Sequence, residues 1–197
     1  MAQLVGSTRA NVYETIVAEE QPGASLRHAG VVVIEGGGRT PADIAALLVH
    51  GARRLLCVPP AGPLPRRMII RCPDDALQAE AMGLVASLVR NIHAEATFVS
   101  VVRKQALPGE RALALRHLLD TRAEVRASHG LDLRTELLEG EVTTQLQARM
   151  ASAEPTLLIL GIGGDRREIE TLLEREAGWL FASGLRSPLL LAYSGRR

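Results

Sequence analysis

The sequence predicts an α/β fold: a doubly wound, mainly parallel five-stranded sheet, preceded by a half-domain repeat. Three observations carry this. Thr156-Leu157-Leu158-Ile159-Leu160 runs without polar interruption into Gly161-Ile162-Gly163-Gly164, and a charged helical segment follows. An unbroken apolar run suits a strand covered on both faces, the usual state of a parallel strand with helices on each side. The same design stands earlier, where Val31-Val32-Val33-Ile34 leads into Gly36-Gly37-Gly38. Finally, strand-like and helix-like stretches alternate beyond residue 66 in the order β-α-β-α-β-α-β-α-β, the pattern of a doubly wound domain.

Leu4-Val5-Gly6-Ser7 reads as a strand end and turn. Ala10 to Glu20 then places Val12, Tyr13, Ile16 and Val17 on one helical face, and Gln21-Pro22-Gly23 breaks that helix. After the strand at Val31 to Ile34 and its glycines comes Thr40-Pro41-Ala42-Asp43. Thr is a good N-cap, Pro suits the first helical position, and an acid stands three residues after the cap. Ile44, Leu47, Leu48 and Ala52 continue at helical spacing, and Arg53-Arg54 is expected near the helix's C-terminal end, where cations suit the dipole. Leu55 to Val58 is a short strand. Pro59 to Pro65 holds four prolines and cannot be regular structure, so the boundary falls there: a partial domain over 1–60, a proline-rich linker over 61–66, and a complete domain over 67–197.

In the complete domain Arg67 to Cys72 is a strand and Pro73-Asp74-Asp75 a turn. Ala76 to Ile92 is a helix with Leu77, Ala81, Leu84, Val85, Leu88 and Ile92 facing the core. Ala96 to Val102 is a strand, Leu107-Pro108-Gly109 a turn, and Glu110 to Ser128 a helix ended by Gly130. Leu131 to Leu138 alternates apolar and polar, so a less buried strand is expected. Gly140 turns into a helix over Val142 to Ser152. A strand at 156–161, a helix from Arg166 to Ser183 and a strand from Pro188 to Tyr193 close the chain.

Composition removes several function classes. A net charge of +1 gives no bulk attraction to nucleic acid or anionic membrane, and 3% aromatic residues leave few base-stacking platforms. No apolar run reaches the roughly 18–20 residues needed to span a bilayer. Met1 to Ala10 lacks a basic and then apolar leader pattern. A cytoplasmic chain with no membrane insertion and no nucleic-acid partner is expected. Cys57 and Cys72 lie in or beside buried strands and read as reduced core thiols, a disulfide or metal pair being the alternative. His28, His50, His93, His117 and His129 stand singly without metal-ligand spacing, so no metal site is expected. No nucleophile elbow, Walker A loop or paired carboxylates appear, and no catalytic residue is assigned. Asp165-Arg166-Arg167-Glu168, with Glu170, Glu174 and Arg175, reads as a solvated helix face. Trp179 and Phe181 are expected to pack the last helix.

The two ends of the chain also match each other. Leu4 to Ser7 matches Leu137 to Gly140, Val31 to Gly38 matches Leu157 to Gly164, and Arg54 to Pro59 matches Ser187 to Ala192. The first sixty residues therefore read as the second half of a domain whose complete copy follows.

On these residues the chain resembles the universal stress protein family. Arg67 to Asp75 resembles the family's opening strand and turn, and Leu138-Glu139-Gly140-Glu141 the glycine turn before its third helix. Leu157 to Gly164 and Ser187 to Tyr193 resemble its closing strands. The resemblance implies an adenine nucleotide alpha-hydrolase-like fold in a one-and-a-half-domain arrangement. It also implies a test for ATP or another adenine nucleotide. Family members that bind it carry Gly, two residues, Gly, nine residues, then Gly and Ser or Thr, so that backbone N–H groups cradle phosphates. Gly161 and Gly164 fit the first pair, with Gly163 between them, but Glu174 and Arg175 stand in place of the later Gly-Ser pair, and Asp165 brings a carboxylate to the loop. The partial copy offers Gly36, Gly37, Gly38, Arg39 and Thr40, with Gly51-Ala52 as a distant substitute for the later pair. The family's adenine-side Asp falls on Asp74 after a one-residue slip; otherwise Asp74 is an ordinary turn residue.

The expected function is a non-enzymatic regulatory or binding module of stress response, with weak or lost adenine-nucleotide binding. A half domain leaves a sheet edge open, so homodimerisation is expected, through the apolar closing strands Leu55 to Val58 and Leu189 to Tyr193. The alternatives are an accessory or sensor module of a membrane ion transporter, and an ATP-hydrolysing enzyme of related fold. Whether residues 1–60 complete a sheet within the chain or across a dimer is left open at this level.

Overall fold

A computed structural model describes residues 30–59, 62–71, 79–151 and 154–194. The expected strand at Leu4 to Ser7, the helix at Ala10 to Glu20 and the turn holding Asp74 lie outside the described residues, as do Cys72 and the start of the helix expected from Ala76.

Apolar alternation along the strands builds two cores, one on each face of a single sheet. The strands are β1 (Val32–Glu35), β2 (Arg54–Val58), β3 (Arg67–Arg71), β4 (Glu95–Val102), β5 (Arg134–Glu139), β6 (Thr156–Gly163) and β7 (Leu189–Ser194). The helices are α1 (Pro41–Val49), α2 (Ala79–Ile92), α3 (Pro108–His129), α4 (Val142–Met150) and α5 (Arg166–Ala182). Ile69, Leu158 and Leu160 point to the core shared with α1, α4 and α5. Their neighbours Met68, Ile70, Leu157 and Ile159 point to the core shared with α2 and α3. The period of two explains why β6 must be apolar throughout: both of its faces are covered. At the far edge β5 buries only Leu138, as its alternating sequence predicts.

The strand order is β1-β2-β7-β6-β3-β4-β5. The five strands expected for the complete domain are β3 to β7, all parallel to one another. β1 and β2 are parallel to each other, and β2 joins β7 antiparallel. Among the described residues the sheet is thus extended within the chain to seven strands. This corrects the surface expected for self-association: Leu55 to Val58 and Leu189 to Tyr193 form adjoining interior strands, and their hydrogen-bonding edges are used on each other.

The β2–β7 register is symmetric about one pair. Leu56 lies opposite Leu190, flanked by Leu55 opposite Leu191 and Cys57 opposite Leu189. Beside them, Val32 pairs Leu55 as Leu158 pairs Leu189. Leu55 therefore corresponds to Leu189, one residue beyond the position that sequence matching assigns, because a uniformly apolar run carries no mark against a slip of one.

Helix ends follow local chemistry. In α1 the Thr40 hydroxyl accepts from the Asp43 N–H at 3.3 Å, and the Asp43 carboxylate accepts from the Thr40 N–H at 2.9 Å, the expected capping box with Pro41 in the first turn. α1 ends at Val49 without a basic residue in its last turn. Arg53 and Arg54 lie past it, contrary to expectation; Arg54 opens β2 and donates to the Gly30 carbonyl at 3.3 Å. α3 starts earlier than expected, at Pro108, because Pro fits the first turn and Glu110 accepts from the Leu107 N–H at 2.9 Å. Gly130, at φ 65°, ends α3 as a left-handed cap.

Candidate functional site

In a doubly wound sheet, ligands bind outside the carboxyl ends of the strands where the winding reverses. Here that point lies between β3 and β6: the chain leaves β3 to form β4 on one side, while β6 pairs on the other. Arg71 ends β3 opposite Leu160, so the crevice lies beside Arg71, the end of β6 at Gly161 to Gly163 and the turn at Gly164. Gly164, at φ 106°, takes the backbone into α5 through a conformation that glycine alone adopts freely.

Three backbone donors at the start of α5 are already used. Asp165 Oδ1 accepts from the backbone N–H groups of Arg167 and Glu168, both at 3.0 Å, and Glu168 Oε2 accepts from the Asp165 N–H at 2.7 Å. These are the N–H groups that a phosphate would need at a helix N-terminus. A Cβ built on Gly164 would collide with the Glu168 carboxylate, so that carboxylate lies directly over the loop. Two acids thus stand where a polyphosphate would bring further negative charge. Asp165 and Glu168, expected as part of a solvated face, are exposed but serve as a capping box. Behind the loop, Tyr193 Oη donates to the Gly164 carbonyl at 3.0 Å and Ser194 Oγ to that of Ile162 at 3.3 Å, which fixes the turn against β7.

The loop after β1 follows the same plan. Gly36 N–H donates to the Val58 carbonyl at 2.9 Å, Gly38 turns at φ 75°, and Thr40 caps α1. Hydrogen bonds from the Thr40 backbone and then its hydroxyl hold the Asp43 carboxyl below its ordinary value of 3.8. Gly36 packs so closely on the buried Leu185 that a Cβ would overlap it. Gly37, Gly38, Arg39 and Thr40 are exposed. Gly51 lies beyond the C-terminal end of α1, a helix length away from Gly38, so Gly51-Ala52 does not share a cradle with that loop.

The structure groups the candidate residues into two sets. Gly36, Gly37, Gly38, Arg39 and Thr40 form one loop; Gly161 and Gly163, expected in a turn, are the last part of β6 and pair with Ala192 and Ser194, and Gly164 makes the other turn, into α5. Because β2 and β7 are antiparallel, β1 and β6 point in opposite directions, and the two loops lie at opposite ends of the strands. They cannot contact one ligand together.

One pair escaped sequence reasoning. Arg71 reaches under the sheet to Glu176 of α5, with Nε 3.4 Å from Oε2, and Glu176 is fully buried. Arg175 Nη2 donates to Glu176 Oε1 at 3.1 Å, so the acid is shared between two guanidiniums. The signal was present: Ile169, Leu173, Glu176, Ala177 and Leu180 fall on one helical stripe, which sets an acid among buried apolar positions. Elsewhere Cys57 is a free thiol, and burial pushes it up to about 12, so it is inert as a nucleophile near neutral pH. Trp179 and Phe181 pack against the core as expected. Among the described residues no group of His, Cys, Asp and Glu could hold a metal ion, and no helix is long and apolar enough to cross a membrane.

No family model matches the chain, and no curated protein matches it in sequence. Solved structures do match. A protein from the universal stress protein family from Burkholderia pseudomallei is 20% identical, over 66% of this chain and 98% of that one, with a TM-score of 0.45. A universal stress protein from Archaeoglobus fulgidus is 10% identical, with a TM-score of 0.54 over 87% of this chain and 63% of that one. At this identity the second likeness speaks of fold. The chain has the α/β fold of the universal stress proteins.

Proposed function

We propose that this chain is a non-enzymatic regulatory or binding module of the universal-stress-protein kind, acting in stress response in the cytoplasm, in which adenine-nucleotide binding is weak or lost. The observation that carries the reading is the occupation of the α5 N-terminus by Asp165 and Glu168. A helix N-terminus attracts anions through its free N–H groups and its dipole. Here the N–H groups of Asp165, Arg167 and Glu168 and the dipole are met by the protein's own carboxylates, and an incoming phosphate would have to displace two like charges. The missing Gly-Ser pair at Glu174 and Arg175 removes the remaining family donors.

The same reading takes residues 1–60 as the C-terminal half of a repeat that completes its sheet within the chain. Counted from the caps Thr40 and Asp165, Ile44, Leu47, Leu48 and Ala52 fall on Ile169, Leu172, Leu173 and Ala177, identical residue types at each position. The symmetric β2–β7 register supports the same equivalence. With those strands paired internally, homodimerisation and partner binding use another surface.

The test is the nucleotide content of purified protein, read by chromatography after acid release, together with ATP turnover. The expected result is neither bound nucleotide nor turnover. Stoichiometric adenine nucleotide carried through purification would overturn the reading, as would turnover abolished by Gly164→Val.

A further inference from the structure

The flank formed by α3 and β5 sets an apolar side of a helix beside an open strand edge. Leu118 and Val125 of α3 are buried in one core with Phe98 of β4, and the half-buried Leu137 of β5 packs against it, so they mark the helix side that faces the sheet. At 100° per residue, Leu115, Leu119, Ala112 and Ala123 fall between about 70° and 150° round from that side. All four are exposed, Leu115 to 45% and Leu119 to 47%. Arg111 and Arg122 lie between the two sides, and they pair with Glu139 at the end of β5 and Asp132 just before its start. The two leucines therefore face sideways, past the outer edge of β5.

Among the described residues β5 is the last strand on its side of the sheet. The Gly140 N–H donates to the Val102 carbonyl at 2.8 Å, so by alternation Glu136 and Leu138 turn their backbone groups toward β4. Thr135, Leu137 and Glu139 turn theirs outward. Natural edges are commonly protected by charge. Here each charged residue of β5 is paired within the chain instead: Arg134 with Glu95 at 3.2 Å, Glu136 with Arg149 at 3.1 Å, and Glu139 with Arg111. The edge carries no unbalanced charge to repel another strand.

We propose that this flank binds a second copy of the chain, β5 pairing antiparallel with its own counterpart about a two-fold axis at Leu137. The proposal rests on the self-association proposed above and names its surface. Geometry selects a second copy. An axis at Leu137 uses all three outward residues, with Thr135 opposite the partner's Glu139 and Leu137 opposite its twin. Such an axis keeps each face of the sheet continuous, so both α3 helices lie on the same face. Each α3 packs over β4 and β5, which puts the two helices two strand spacings apart, about 9–10 Å, the distance at which helices pack. Leu115 and Leu119 then meet their twins above the paired Leu137 side chains. With 22 residues α3 is about 33 Å long, and with the strand beneath it the flank is about 20 Å deep. The two copies together would cover roughly 1,300 Å², within the range of specific interfaces.

Sedimentation velocity of the full chain at micromolar concentration tests this. The parent is expected to sediment as two copies, and Leu119→Arg and Thr135→Pro each as one, with the far-ultraviolet circular dichroism of the parent. Leu119→Arg sets a charge between the joined helices. Thr135→Pro removes an outward N–H that β4 does not use, a change that an edge strand tolerates. Each should weaken the dimer about 100-fold or more. A third variant reads the axis itself. Leu137→Cys, in a chain with Cys57→Ala and Cys72→Ala, should oxidise to a species of twice the mass, because residues opposed on the axis stand about 5.5 Å apart at Cα. A parent dimer that survives Leu119→Arg or Thr135→Pro overturns this interface and leaves self-association to another surface. A Leu137→Cys chain that keeps the mass of one copy on oxidation overturns the axis. A monomeric parent overturns the interface and the self-association together.

Discussion

The unit β1–α1–β2 and the unit β6–α5–β7 share a plan and differ in their contents. Each runs from an apolar strand through a glycine with positive φ into a capped helix, and then into a strand parallel to the first. Each closes its helix N-terminus with its own side chains. They differ below the cap. α1 stops at Val49, and Gly51 follows at φ 131°. α5 continues to Ala182 and carries the buried Glu176 at the position, counted from the cap, where the first unit has Gly51. The lesson is that apolar spacing and capping are enough to specify the shared plan, while an ion pair inside the core belongs to one copy only.

The largest effect should come from breaking that asymmetry. Arg71→Met removes one of the two guanidiniums from a fully buried acid, and uncompensated buried charges typically cost about 3–5 kcal/mol. Because Arg175 still reaches Glu176, the loss should fall toward the lower end of that range, read as a lower urea midpoint. Adding Glu176→Leu should recover most of it. If Arg71→Met is neutral, the pair does not hold β3 to α5. The next test asks whether the two units are equally part of one core. Leu48 and Leu173 are both fully buried in it, so Leu48→Ala and Leu173→Ala should each cost about 2–5 kcal/mol in a single cooperative transition. A first unit that melts separately would contradict a continuous sheet.

The caps come next. Thr40→Ala and Asp165→Ala should each lose about 1 kcal/mol, because both remove an acceptor for helix N–H groups. The smallest effect is acidic. The Asp43 carboxyl is held low by its Thr40 hydrogen bonds, and that of Glu141 by those from Thr144 and Thr143. A depressed folded value gives stability that is complete above the ordinary carboxylate range and is lost as pH falls below it. The acid limb of a Tm-against-pH curve should therefore be shallower in Asp43→Asn than in the parent, the variant being slightly less stable at neutral pH and the two curves converging as the pH falls.

Much of this was legible in the sequence, and the exceptions have physical causes. The strands around Val33, Ile70 and Ile159 announce themselves as unbroken apolar runs, and Thr40-Pro41-Ala42-Asp43 spells its cap in full, because these features are local. The antiparallel joining of β2 to β7 is not local: both read as generic apolar strands, and the pairing depends on which edges remain free once the sheet is built. That is why the same strands looked like a dimer surface. Glu176 was hidden by its company, since Glu174 and Arg175 beside it are exposed and the run looks solvated unless each residue is placed on its helical face. Of the candidate site, the glycines were legible, but not that the loops lie at opposite ends of the sheet. Nor could the sequence show that Glu168 folds back over Gly164; it read the acids as a solvated face.

The central claim is that the phosphate cradle is filled by the protein itself. Isothermal titration of ATP, ADP and AMP onto protein stripped of nucleotide tests it most directly. The account predicts no heat of binding at micromolar concentrations for any of the three. A dissociation constant in the micromolar range or tighter would show that phosphate displaces Asp165 and Glu168, and would make the chain a nucleotide-responsive regulator instead.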